Sequence, residues 1–349
     1  MKIFMMLTLF LLLSFCSISP DLNKRETYYV KVNNAYLPVY TLGSNTEKVI
    51  LFVHGGPGLS SVFYYYIPFF QKLAKKYKIF FWDQRGAGGT RGFSSDDEMT
   101  INQFVHDMDV VYNSIKSMIP NTKIYVMGHS YGGMVGGSYV TQYDDKVEAS
   151  IFIEPAFNVK QINEIASELM LNNIIEHLDQ KLSPKEEKYW NIAKIFYTQN
   201  KYLSSKNYLQ HSKYTSDWDK VQGLNRMCDY IRGEILNLIS DSVLENLSVL
   251  MQMEKVLMKL EKNGENNRNL STDSIFGLSK ITKPVLLVTS ELDYLVPPST
   301  SIDGYNRMNG GIPNRKSVHL SYKDASHAPF LQSVKHDLFD KIIDFIHNN

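Results

Sequence analysis

Only two of the 349 residues are cysteine, Cys16 and Cys228. Two thiols cannot build a disulfide scaffold or a four-cysteine zinc site. Charge of one sign is missing too. Thirty-seven basic residues face 36 acidic ones, for a net charge of +1. A nucleic-acid partner, which calls for a basic face, is therefore not expected. No apolar run reaches the roughly 20 residues of a membrane-spanning helix. No phosphate-binding, nucleotide-binding or metal-ligating motif is present, so no cofactor is expected. What remains is ordinary globular composition, 44% apolar and 21% charged. That rules out a disordered or collagen-like chain. The length is generous for one compact domain, which points to a large α/β domain carrying an insertion, or to two domains.

The longest apolar stretch stands at the start. Lys2 precedes Ile3–Cys16, which is broken only by Thr8 and Ser14. This is the length and pattern of a secretory signal, assigned to residues 1–19. Leu13-Ser14-Phe15-Cys16 resembles a bacterial lipobox, although Phe15 stands where a small residue is usual. The expectation is export, to the periplasm or to a membrane anchor through lipidated Cys16, rather than free secretion.

Further along, Thr27–Val32 and Tyr36–Thr41 alternate around Asn33-Asn34 and predict a hairpin. Lys48–His54 is a near-continuous apolar run, as in a strand buried on both faces, and Lys78–Trp82, Lys123–Met127, Val147–Ile153, Pro284–Thr289 and Lys316–Tyr322 also read as strands. Helical patterns separate them, including Tyr64–Lys76, a capped segment from Thr100, and a closing Phe330–His347. Alternation of this kind means a mostly parallel sheet with helices on both faces. Between residues 155 and 283 no strand is evident. Asn158–Gln180, a segment opening at Ser183-Pro184, Trp218–Arg232 and Glu234–Lys262 read as helices. The chain thus divides into a catalytic domain, 20–154 plus 284–349, and an inserted helical cap, 155–283.

One motif carries chemistry. Gly128-His129-Ser130-Tyr131-Gly132 follows a predicted strand and opens a predicted helix. In that context G-x-S-x-G is a nucleophile elbow, a sharp turn that exposes the serine above the sheet. The serine needs a base, and the base an orienting acid. Asp293 and His327 each follow a late strand, in the order the elbow requires. Glu291 and Asp324 are the rival acids, each also readable as an exposed loop charge. Tyr131, just after the serine, offers one N–H to an oxyanion. Gly56, in the glycine-rich loop His54-Gly55-Gly56-Pro57-Gly58, offers the second.

These residues together resemble an α/β-hydrolase of the proline iminopeptidase family of serine aminopeptidases. The carrying segments are His54–Gly58 (HGGPG), Asp83–Gly88 (DQRGAG), Gly128–Gly133 (GHSYGG), Glu291–Asp293 (ELD) and Ser326–Phe330 (SHAPF). The resemblance implies a Ser130–Asp293–His327 triad, an oxyanion hole from Gly56 and Tyr131, and structural roles for Asp83 and Arg85. It also implies removal of N-terminal residues from short peptides. His129 and Tyr131 replace the Gly and Trp frequent at that family's elbow, and Gly-His-Ser is common in esterases of the same fold. A carboxylesterase, lipase or lactonase with the same triad is therefore the alternative. An aminopeptidase must hold a free ammonium, for which Glu154 and Glu234 are the candidates.

Overall fold

The computed structural model describes residues 26–92, 95–226, 229, 253, 255–265 and 277–349. The candidate signal segment, Cys16, Cys228 and Glu234 lie outside the described residues.

The described strands form one sheet. In chain order they are β1 (Glu26–Val32), β2 (Ala35–Leu42), β3 (Lys48–Val53), β4 (Lys78–Trp82), β5 (Arg91–Gly92), β6 (Lys123–His129), β7 (Ser150–Ile153), β8 (Val285–Ser290) and β9 (Val318–Tyr322). Their spatial order is β1-β2-β4-β3-β6-β7-β8-β9, with β5 paired to β2. β1 and β2 form the antiparallel hairpin, turning at Asn33, whose φ of 52° suits asparagine. From β4 through β9 the pairing is parallel.

The apolar runs explain the layers. In β3, Val49, Leu51 and Val53 join one core, while Ile50 and Phe52 join the other. β6 and β8 split the same way, Val126 against Tyr125 and Leu287 against Leu286. Side chains alternate across a strand, so a run without polar residues feeds two cores at once. α3 (Ile101–Met118) and α4 (Tyr131–Gln142) cover the first face. α1 (Val62–Tyr65), α2 (Pro68–Leu73) and the closing α9 (Lys335–His347) cover the second.

Three helix expectations need correction. The segment 64–76 is not one helix. Pro68 disfavours a helical residue before it, and Ile67 is extended at ψ 128°, so α2 starts afresh. The closing helix starts at Lys335, after a short 3-10 turn at Pro329–Leu331. In the inserted region, α5 (Val159–Leu178) and α6 (Pro184–Gln199, with the Ser183–Glu186 capping box) follow the pattern. The next helix does not span 218–232. α7 runs Ser205–Val221 and ends before Gly223, whose φ of 72° breaks the helix. α5, α6 and α7 share a small core around Met170, Trp190, Tyr197 and Trp218. A further helical stretch, 255–262, packs Val256 and Leu260 onto the main core. After β8, α8 (Pro298–Asn306) returns the chain to β9.

Candidate active site

The site assembles where β6, β8 and β9 end. β6 runs straight into α4 through Ser130, which adopts φ 55° and ψ −124°. A non-glycine residue there costs about 1–3 kcal/mol and persists only where its surroundings fix it. Three backbone bonds do so: Ser130 N–H donates to Ile153 O (3.0 Å), and Ser130 O accepts from Gly133 (2.8 Å) and Ala156 (3.0 Å). The flanking glycines are sterically required. A Cβ on Gly132 would lie 2.1 Å from Val53 O, and one on Gly128 would lie 2.5 Å from Gly132 O. α4 also aims its positive N-terminal end at this point.

The structure brings Ser130, His327 and Asp293 together. His327 Nε2 lies 2.8 Å from Ser130 Oγ, and Nδ1 lies 2.7 Å from Asp293 Oδ2. The carboxylate accepts from Nδ1–H, which leaves the Nε2 lone pair facing the serine hydroxyl, the tautomer a general base needs. Asp293 is buried, and its other oxygen accepts the N–H groups of Leu295 (3.0 Å) and Val296 (2.8 Å). Those bonds hold the acid in one rotamer.

The glycine-rich loop is braced from below. His54 is buried; its Nε2 accepts Gln84 N–H at 3.0 Å, and its Nδ1–H donates to Gly55 O at 2.7 Å. A trans peptide points its C=O and N–H in opposite directions. Tying Gly55 O to His54 therefore turns Gly56 N–H away from the core. Gly56 has φ 131°, and a Cβ there would meet Gly58 N and Leu59 N at 2.9 Å. Asp83 fixes the rest, accepting Ser61 N–H (2.7 Å), Gly89 N–H (2.7 Å) and the hydroxyls of Tyr40, Ser60 and Ser61. Arg85 is equally buried and forks onto Asp107, with Nη1 reaching Glu98 at 3.1 Å.

The two carboxylates proposed for an ammonium fare differently from the triad residues. Glu234 lies outside the described residues. Glu154 ends β7 at φ 45°, fully buried, and its oxygens accept Ser290 N–H (3.1 Å) and the Ser290 hydroxyl (2.6 Å). Burial, together with neighbouring Asp293, holds its carboxyl well above the usual range. It is a buttress behind Asp293, with both carboxylate oxygens taken up by Ser290. The strand end turns inward, so the expected ammonium contact does not form there.

Asp219 lies close to the triad without belonging to any motif in the sequence. It sits near the end of α7, on the stripe of His211 and Thr215, both buried. Its neighbours are Ser326, His327, Asp293 and Arg226, and burial carries its carboxyl up to about 7. A charge on an otherwise buried helical stripe was the available signal. Tyr208, also on α7, places its hydroxyl 3.5 Å from Gly56 O.

A cavity opens beside Ser130, Tyr131 and Gly56, with about 500 Å³ of empty space partly continuous with solvent. Its wall is Ala156, Val159, Ile162, Leu257, Leu295 and Val296, with Asn163 and Ser205 at a polar end. Among the described residues, no carboxylate or cation lines it. Among the described residues no cluster could hold a metal ion, and no helix is long and apolar enough to cross a membrane.

Sheet order, elbow and the hydrogen-bonded trio define a hydrolase architecture. The alpha/beta hydrolase fold family model matches residues 48–334, and the chain belongs to that family. It is similar to the proline iminopeptidase of Thermoplasma volcanium, 26% identical over 201 residues, 56% of this chain and 63% of that protein. The chain spans less than two thirds of the length of the curated iminopeptidases it matches. Solved structures share the fold. The proline iminopeptidase-related protein of Thermus thermophilus superposes with TM-score 0.58 at 15% identity, over 93% of this chain and 98% of that one. An esterase from Exiguobacterium antarcticum does so with TM-score 0.53 at 13% identity, over 92% and 99%.

Proposed function

We propose that this hydrolase removes the N-terminal residue from short peptides through an acyl-enzyme. Ser130 Oγ attacks the carbonyl of the first residue while His327 Nε2 takes its proton. The oxyanion rests on the N–H groups of Gly56 and Tyr131. His327 then gives its proton to the leaving amine, and water, activated by the same imidazole, releases the residue and regenerates Ser130. The departing group enters from solvent, and the side chain of the first residue occupies the uncharged cavity.

The observation that carries the peptidase reading is Asp219. An ester needs no anion beside the triad, and burying a carboxylate next to His327 and Asp293 is costly. A substrate α-ammonium would offset that cost and would set the scissile carbonyl one residue from the chain end. The similarity to proline iminopeptidases points the same way. An esterase reading is favoured by one observation, the lack of charge in the cavity wall.

Parallel assays decide between them. Proline, alanine and leucine p-nitroanilides with free amines are compared with N-blocked anilides and with short acyl esters. Free-amine anilides are expected to turn over and blocked ones to be refused. Cleavage of esters alone would overturn the peptidase reading. Ser130→Ala is expected to abolish every activity seen.

A further inference from the structure

Beneath the glycine-rich loop, Tyr64 makes two contacts that the triad does not use. Gly55 N–H donates to its hydroxyl at 3.3 Å, and that hydroxyl lies 2.8 Å from His129 Nδ1. On the far side of the ring, His129 Nε2 lies 2.7 Å from the backbone carbonyl oxygen of His327. The proton positions follow from chemistry alone. A carbonyl oxygen only accepts, so His129 Nε2 carries the hydrogen. Nδ1 is then a lone pair, so the Tyr64 O–H donates to it. The Tyr64 oxygen keeps lone pairs for Gly55 N–H. One arrangement satisfies all four groups, and no other does.

We propose that Tyr64 and His129 are positioning residues, a proton-ordered strut that fixes the oxyanion arm and the His327 loop relative to Ser130. The two ends are the right ones. Gly55 precedes the Gly56 donor and packs on the nucleophile, since a Cβ at Gly55 would lie 3.0 Å from Ser130 Cβ. The other end is the backbone of the base itself. Donor, base and nucleophile must agree within about 0.5 Å for efficient chemistry, and they come from different strand ends.

The strut also has to be uncharged. The His129 and His327 rings are 4.9 Å apart. A cation at His129 would oppose the imidazolium that forms when His327 accepts the serine proton. Burial pushes His129 down to about 3, so it stays neutral wherever the base works. The Tyr64 ring is held separately, by Phe52 (4.7 Å), Phe70 (5.8 Å) and Phe330 (6.0 Å) between ring centres. Removing the hydroxyl therefore tests the strut without removing the packing.

The inference rests on Ser130 being the nucleophile, and the test separates the two. Wild type, Ser130→Ala, Tyr64→Phe, His129→Leu, the Tyr64→Phe/His129→Leu double variant and His129→Gln are assayed on leucine p-nitroanilide and p-nitrophenyl acetate. Tyr64→Phe and His129→Leu are each expected to lower kcat about tenfold or more, the worth of a hydrogen bond or two, with KM within about twofold. The double variant is expected to be no worse than the poorer single one, because both cut one chain. His129→Gln, which carries a donor and an acceptor, is expected to recover most of kcat over His129→Leu. A serine-trapping inhibitor, leucinal or phenylmethylsulfonyl fluoride according to the substrate cleaved, should lose potency in step with kcat. Wild-type kcat in Tyr64→Phe, multiplicative losses in the double variant, or losses confined to KM would overturn the strut. If Tyr64→Phe does not fold, the Gln and Leu variants at 129 carry the comparison, and equal activity in them overturns it. Retained turnover in Ser130→Ala would instead overturn the nucleophile assignment.

Discussion

Replacing Asp219 by asparagine changes one charge and almost no volume, and its consequences can be worked out. Burial carries the carboxyl from 3.8 to about 7. Each pH unit is worth about 1.4 kcal/mol, so the half-buried site holds the carboxylate, even with the Ser326 hydroxyl and Arg226 near it, at a cost of a few kcal/mol. Its folded pKa lies above its unfolded one. The stability it withholds is therefore nil below about pH 4, grows through the interval up to about 7, and is constant above. Asp219→Asn should raise Tm by a few °C at pH 8 and leave it unchanged at pH 4. Binding should move the other way. A charge-assisted hydrogen bond to an ammonium is worth roughly 1.5–3 kcal/mol, so KM for leucine p-nitroanilide should rise about tenfold to a hundredfold at pH 8. Hydrolysis of p-nitrophenyl acetate, which carries no ammonium, should keep its KM. In wild type, KM for the anilide should also climb as pH falls below about 7, where Asp219 takes up a proton. Steady-state kinetics at pH 6 and 8, with thermal melts at pH 4 and 8, cover every arm. An unchanged anilide KM alongside a higher Tm at pH 8 would refute the ammonium role. An unchanged Tm would refute the burial cost itself.

Two further outcomes are expected, the first from this geometry and the second from the sequence. Glu154→Gln should leave KM for free-amine anilides within about twofold, because that carboxyl is turned onto Ser290 and burial beside Asp293 disfavours its charged form; a tenfold rise would return it to the binding site. If Cys16 is the lipid attachment point we propose, wild type expressed in a bacterial host should partition into detergent-rich phase and Cys16→Ser into the aqueous phase; identical partitioning would refute it.

The sheet and the reactive trio were legible because each rests on a local, unambiguous pattern. A strand such as Val49–Val53 has no polar residue to place, so it must be buried on both faces. The Ser130 turn announces itself through glycines that have no alternative at 2.1–2.5 Å from backbone oxygens. The inserted helices carry no such pattern. α7 reads Ser-Lys-Asn-Tyr-Leu-Gln-His-Ser-Lys at its start, polar enough to hide its beginning, and its end depended on one left-handed glycine. Glu154 was misplaced because a strand end gives the position of a residue but not the direction of its side chain. Tyr64 was invisible for a different reason. Its role comes from a hydroxyl meeting a histidine 65 positions away, and no spacing rule records that.

The strand order has a consequence in time. Ser130 Oγ meets its base across 197 residues, with the whole inserted segment emerging between them. A nascent chain stopped after β7 has its serine and no imidazole at His327 to activate it. β8 and β9 can dock only after that segment has been made, and long-range pairing of this kind forms late. A chain at that stage therefore lacks the assembled Ser130–His327–Asp293 trio.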